Sequence, residues 1–428
     1  MTRPVSTAYL RAFAPSRFTS AASALLLTVL SGCVSVNQQH ADEAVGDYFL
    51  GDYARAEQLI QPAAKETNEN FVLNNDRLGS AALAAYDLDT AEAAFLRSYE
   101  VINSVGVNDG GRSLGAVLVS ENIKVWKGEP FDRAMVNFYL GLIYYIRHDY
   151  ANARGAFENA LFKLRDYGEG GDKADQYRAV ESNFALAYLM LARSYQRLGR
   201  PDLAEKNFGR VRELRPDLAP LADEALNDNS SLLLVVDYGH GPQKATAFDG
   251  SIVGFTPSPA EAGPIPLPMV VLDGAAQELG GVNRPPVDML ALAQDRRWES
   301  IDTIRTVKSA LGTGLIAAGI GDVALRRRPD PALSLGLIGG GLLLKATSQA
   351  DPRQWEMLPR TTFVLPLRVP PGTHDVTVEF PGYLGLRQMW HGLFVPQTGE
   401  ATYYMRMDRY NPGPFTWPPP SMAQASSR

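Results

Sequence analysis

Hydrophobic positions along the chain change character three times. Residues 18–30, FTSAASALLLTVL, are apolar and small without a break. Residues 41–228 lack the alternation of strands and are rich in Ala, Leu, Tyr and Glu, which predicts helices. At NDNSSLLLVVDYGHGP the pattern shifts: 231–237 is a short Leu/Val run that reads as a buried strand, and 237–242 turn the chain. Residues 252–286 are rich in Pro and Gly and carry a further apolar run, LPMVVLD, while 288–310 look helical. Segment 360–382 reads as strand, turn, strand with its bend at 370–373, and 401–410 as a last strand. The tail 411–428 holds too much proline to fold alone. Two glycine-rich apolar stretches, 310–325 and 332–346, are joined by RRRPDP.

Within the helical half, NFYLGLIYYIRHDYANARGAFENAL (137–161) places small Gly141 and Ala153 among large Tyr144, Tyr150 and Phe157. This order of large and small positions resembles the tetratricopeptide repeat, a helix pair of about 34 residues. Three further copies fit the same frame, at 77–98, 191–216 and, most weakly, 44–63. Their uneven spacing predicts an irregular array with insertions at 103–113 and 165–175. In such arrays the first helix of each pair lines a concave groove that takes a partner peptide or helix. Asn74, Asn75 and Asn137 are candidate contacts there, because an asparagine amide pairs with a ligand backbone.

The first 17 residues carry Arg3, Arg11 and Arg17 and no acid, and the apolar run after them is too short to span a bilayer of about 30 Å. Basic, apolar and small segments in that order predict a secretory signal. Its end, Leu30, Ser31, Gly32, Cys33, resembles the lipobox of bacterial lipoproteins, and Cys33 is the sole cysteine of 428 residues. The resemblance implies cleavage after residue 32 and acylation of Cys33, with residues 33–40 as a short linker. Val34 in place of the aspartate associated with inner-membrane retention implies the outer membrane, facing the periplasm.

Cleavage would move net charge from −6 to −9, which argues against nucleic acid and against a basic membrane-binding surface. About 396 mature residues suggest at least two domains. The expected fold is a helical repeat array over 41–228 followed by an α+β domain over 229–410 with an inserted glycine-rich helical hairpin at 310–346. Small residues at spacing four give each hairpin helix a flat face. The hairpin can be buried in its domain, dip into a membrane or form oligomers; each stretch is too short to cross a bilayer.

Asp351, Arg353 and Trp355, followed by Leu358 and Pro359, form a D-x-R-x-W-x-x-L-P signature. Together with the lipobox, the repeats and the glycine-rich pair it is similar to an uncharacterised family of bacterial envelope lipoproteins. That resemblance implies a location and an architecture, with no assigned reaction; some members are associated with lipoproteins that activate peptidoglycan synthases. The motif reads either as a clamp on the following strand or as a pocket with Trp355 stacking and Arg353 pairing an anion.

None of the five histidines, His40, His148, His240, His374 and His391, has metal-binding spacing, and there is no G-x-S-x-G or phosphate-loop motif. His240 after Asp237 is explained by a glycine-rich turn. The expectation is no enzymatic activity, cofactor or metal. Two functions follow: an adaptor that binds another envelope protein through its groove, or an export or pore accessory that self-associates through the hairpin.

Overall fold

The computed structural model describes residues 35–103, 125–164, 183–247, 252–258, 263–294, 351–382, 386–408 and 414–419. The expected signal segment with Cys33, the glycine-rich stretches and most of both expected repeat insertions lie outside them.

Four antiparallel helix pairs come first: α1 (Val36–Phe49) with α2 (Tyr53–Ile60), α3 (Phe71–Ala84) with α4 (Leu88–Asn103), α5 (Pro130–Ile146) with α6 (Tyr150–Lys163), and α7 (Ala185–Arg197) with α8 (Pro201–Leu214). Three residues join each pair, and the middle one is left-handed: Gly51, Tyr86, His148 and Gly199. Glycine adopts that conformation freely, whereas Tyr86 at φ 60° and His148 at φ 62° are strained. In three turns the next residue caps the second helix. Asp52, Asp87 and Asp149 accept from the backbone N–H of Arg55, Thr90 and Asn152 at 3.2, 3.0 and 3.2 Å. In the fourth, Pro201 starts α8, where its missing N–H costs nothing.

Within the second and third pairs the helices meet over glycine. A Cβ on Gly79 would lie 2.6 Å from the Phe95 ring, and one on Gly141 would lie 2.6 Å from Phe157. The large and small positions read from sequence are thus the two sides of each helix contact.

After a short helix α9 (Glu224–Asn229) the chain enters β1 (Leu232–Tyr238), the centre of a three-stranded sheet. It runs antiparallel to β6 (Thr361–Leu367), with Val235 opposite Val364, and parallel to β9 (Ala401–Met407), with Val235 opposite Tyr404. All seven β1 residues and all seven β6 residues are buried, as a sheet covered on both faces requires. Asp237, Thr362, Tyr404 and Arg406 point to the repeat helices. Tyr238, Phe363 and Tyr403 point to a second sheet, ordered β10–β8–β7–β4–β5.

That second sheet comprises β4 (Met269–Leu272), β5 (Ala275–Ala276), β7 (Gly372–Glu379), β8 (Arg387–Val395) and β10 (Phe415–Thr416). A hairpin of β2 (Gln243–Ala247) and β3 (Ile252–Thr256) stands apart and meets α5 where Phe255 packs on Phe131 at 5.2 Å. The short helix α10 (Met289–Ala293) precedes the undescribed 295–350.

Helices and both sheets share one continuous apolar core. The sheet therefore sits inside the curve of the repeats and forms a single body with them. The strand, turn and strand expected over 360–382 are present as β6 and β7, which join the inner and the outer sheet. Two expectations change. The supposed linker 33–40 is helical from Val36. The proline-rich tail is docked in part: Phe415 stacks on Trp390 at 4.8 Å and Trp417 packs edge-on against Tyr403 at 4.7 Å.

Gly141→Ala should destabilise the protein by up to about 2 kcal/mol, overpacking of about 1–3 kcal/mol outweighing a gain in helix propensity of about 1 kcal/mol. Gly155→Ala, whose Cβ would meet nothing within 4 Å, should stabilise by up to about 1 kcal/mol. Urea midpoints at constant slope measure both.

Candidate functional site

The concave face of a helical repeat array is the natural place for a ligand, and here the chain fills it with its own sheet. Tyr139 on α5 donates its hydroxyl to Asp237 of β1 at 2.6 Å. Tyr404 of β9 and Thr362 of β6 donate to the same carboxylate at 2.9 and 2.5 Å. Burial raises the Asp237 pKa, and these three hydroxyls together with Arg406 offset part of that rise. Arg406, itself buried, donates to Tyr48 Oη at 3.0 Å and to the Gly239 carbonyl at 2.7 Å. Tyr53 at the start of α2 donates to the Arg406 carbonyl at 3.1 Å.

The strained Tyr86 turn belongs to the same seam. Its hydroxyl donates to the Tyr404 carbonyl and accepts from the Tyr404 N–H at 2.8 Å. A glycine would relax the turn but would leave that strand unheld.

A second polar knot fixes the other end of the sheet. Glu400, fully enclosed, takes Arg193 and Arg197 of α7, the latter at 3.0 Å, and the hydroxyl of Tyr145 of α5 at 3.2 Å. Burial alone would raise the Glu400 pKa, but the two guanidinium groups and the Ser230 hydroxyl bring it below its ordinary value. Arg193 also donates to Asn227 and to Ser230.

The asparagines expected to meet a partner are consumed by the fold. Asn74, Asn75 and Asn137 are 0, 0 and 1% exposed. Asn74 donates to Gln38 at 2.9 Å. Asn75 donates to the Ala64 and Phe71 carbonyls at 2.9 and 2.8 Å and accepts from Arg97 at 2.7 Å. Asn137 donates to the Arg133 carbonyl at 2.8 Å. Placing them on first helices gave no sign that those helices face a sheet.

Asp351, Arg353 and Trp355 form a strap across the start of the repeats. Arg353 is paired to both oxygens of Asp351 and donates to the Glu69 carbonyl at 2.7 Å. Trp355 is buried between Phe95 and Tyr139, each 5.9 Å away, and its indole N–H donates to Ser80 at 3.0 Å. It is no stacking platform, and the motif holds to the repeat helices where a clamp on the following strand was expected. Glu356 completes the strap by holding Arg77 at 2.6 Å.

The clefts among the described residues include one of about 750 Å³ between α8 and α9, at Pro201, Glu205, Arg212 and Glu224, and two at opposite ends of the helix pairs. At the end where first helices begin lies a polar cleft of about 580 Å³, reached by Ser35, Gln38, Asn70, Arg77, Lys244 and Arg353. At the turn end lies a smaller, apolar groove of about 350 Å³ between Tyr86, Leu88, Ile146, Phe394, Tyr403 and Trp417. Phe394 is 54% exposed there. Its backbone is not available for strand addition, since Tyr403 Oη accepts from its N–H at 3.0 Å and donates to its carbonyl at 2.7 Å.

The histidines fall into separate settings. His240 stacks on Phe49 at 4.1 Å and lies 3.7 Å from Asp408, while the Asp237 side chain points elsewhere. His374 pairs with Asp273 at 2.7 Å and His391 with Asp375 at 2.8 Å, on the outer sheet. Among the described residues no group of three His, Cys, Asp or Glu side chains is placed to hold a metal, and no helix is long and apolar enough to cross a membrane.

No known family matches the chain, and no curated protein does. A crystal structure of MamA is similar over 46% of this chain and 86% of its own, at 14% identity and a TM-score of 0.28. A second MamA structure, of AMB-1, is similar over 41% and 98%, at 18% identity and a TM-score of 0.20.

Glu400→Gln should cost about 3–5 kcal/mol, since it strands Arg193 in the interior. Chemical denaturation at neutral pH measures it, and both sheet and helix signals should shift together. Burial pushes Asp132 up to about 7, and its carboxylate accepts from the Glu129 N–H at 2.8 Å. A folded pKa above the unfolded one favours the protonated native form, so this contribution is intact below about pH 4 and lost as pH rises to 7. Asp132→Asn should flatten the fall in stability across that window in pH-dependent unfolding.

Proposed function

We propose that this chain is a lipid-anchored bacterial envelope protein that acts as a rigid adaptor for another envelope protein. The anchor is Cys33, supported by the lipobox-like Leu30, Ser31, Gly32 and Cys33 behind a basic and apolar leader. Val34 at the next position supports the outer membrane, with the body in the periplasm. The reading includes no catalytic step and no cofactor.

The groove of the repeats is not the docking surface in this reading, because β1, β6 and β9 fill it. The observation that carries the adaptor role is the apolar groove at the turn end. Phe394 stands 54% exposed beside it, and Leu50 and Leu198 expose 56% and 39% at the first and last of the four turns. A large apolar side chain standing open beside an apolar groove marks contact with another protein, although Val36, Phe162 and Leu267 are exposed elsewhere on the body.

A photo-crosslinking residue at Phe394 should capture one envelope protein in the cell, and the same residue at exposed Lys206 on α8 should not. Palmitate labelling should be present in the parent and lost in Cys33→Ser. Equal crosslinking at both positions, or none, would remove the adaptor role. Crosslinks from Phe394 only to further copies of this chain would favour self-association instead.

A further inference from the structure

The helix pairs give the body two distinct ends, and the N-terminus emerges at only one of them. Ser35 caps α1, accepting from the Gln38 N–H at 3.1 Å. Asn37 donates to Glu66 at 2.6 Å, and Glu66 is in turn held by Asn68 at 3.0 Å. The first residues of α1 are therefore bound into the body and do not serve as a loose tether.

Only Val34 stands between Cys33 and this fixed point. Two residue steps of fully extended chain span at most about 7 Å. A flexible linker of even a dozen residues would reach about 20 Å and leave the body free to tumble. Here the anchor allows no such freedom. The 14 residues of α1 put the turn end about 21 Å farther away along the helix axis.

We infer that the end of the body bearing Ser35, Thr67, Glu69 and Arg353 lies directly against the bilayer, with the apolar groove at Phe394 facing away. The inference rests on acylation of Cys33, as proposed above. The occupant of this surface is a lipid headgroup layer. The chain from the glycine-rich stretches returns to the described residues at Asp351, two positions before Arg353 of the same cleft. Three cations, Arg77, Lys244 and Arg353, face four carboxylates there, Asp42, Glu66, Glu69 and Glu356, so the surface has no net attraction for anionic lipid. Arg77 and Arg353 are also already paired, with Glu356 and Asp351. Contact is imposed by the short tether and not by charge, and added salt should leave it unchanged.

The sole cysteine makes the test direct, because an acylated Cys33 leaves no free thiol. Full-length protein purified from membranes would carry Thr67→Cys or Ala151→Cys, both exposed, the first at the Ser35 end and the second beside a turn. Each is labelled with a thiol-reactive fluorophore and placed in phosphatidylethanolamine–phosphatidylglycerol vesicles containing a nitroxide-headgroup lipid. The label at position 67 should be quenched several-fold more than that at 151, at low and high salt alike. Insertion of about twelve Gly/Ser residues between Val34 and Ser35 should abolish the difference. Equal quenching with Cys33 acylated would overturn the orientation alone, as would a difference that survives the long linker. Labelling of the parent protein at Cys33 would overturn the anchor and the orientation together.

Discussion

A charged group inside a protein must be matched where it lies, and Asp237 and Glu400 impose that condition on the whole structure. Asp237 lies in the inner sheet and Glu400 just before β9, and each takes partners from the repeat helices: Tyr139 beside the sheet's own Thr362 and Tyr404 for one, Arg193, Arg197 and Tyr145 for the other. Separating the sheet from the helices would leave carboxylates and guanidinium groups unpaired in apolar surroundings, at several kcal/mol each. The apolar core runs without a break across the same boundary. Repeats and sheet are thus bound by packing, and their register is fixed by polar pairs that fit in one arrangement.

This arrangement decides which surfaces are left for other molecules. A repeat array normally offers its inner face; here that face holds a sheet, and the strap at Arg353 and Trp355 closes its starting edge. The open surfaces of the described residues include the two ends of the helix pairs, and these differ in chemistry. The end near Ser35 holds the polar cleft, with nearly balanced charge, beside an exposed Val36. The turn end carries Phe394, Leu50 and Leu198 in the open. The proposed anchor at one end and the apolar groove at the other would together suit a protein that holds a partner at a set height above a membrane.

Local strain marks the same division. Two of the four turns use glycine for the left-handed residue, and two use Tyr86 and His148 at a cost. The hydroxyl of Tyr86 holds both backbone groups of Tyr404, which accounts for tyrosine at that turn. His148 stacks on Tyr150 at 5.7 Å, a smaller compensation at the rim of the apolar groove.

Features set by neighbours in sequence were legible from the chain itself. Gly141 against Phe157 and the buried Leu/Val strand depend on residues within about twenty positions, so spacing alone places them. The pairing of Asp351 with Arg353 is of this kind too. The filled groove was not legible. Its contacts join Tyr139 to Asp237, 98 residues apart, and Tyr86 to Tyr404, 318 apart, and no periodicity encodes such distances. The clue available was a single charge within each apolar run, Asp237 after LLLVV, Arg193 in LMLARSY and Arg406 in YYMRM, which says that a partner exists without naming it. The sequence by itself determined the helix pairs and the large and small positions through which they meet. Tertiary structure alone decided that the concave face belongs to the chain's own sheet, because only three-dimensional packing tells a buried polar side chain from one that waits for a ligand.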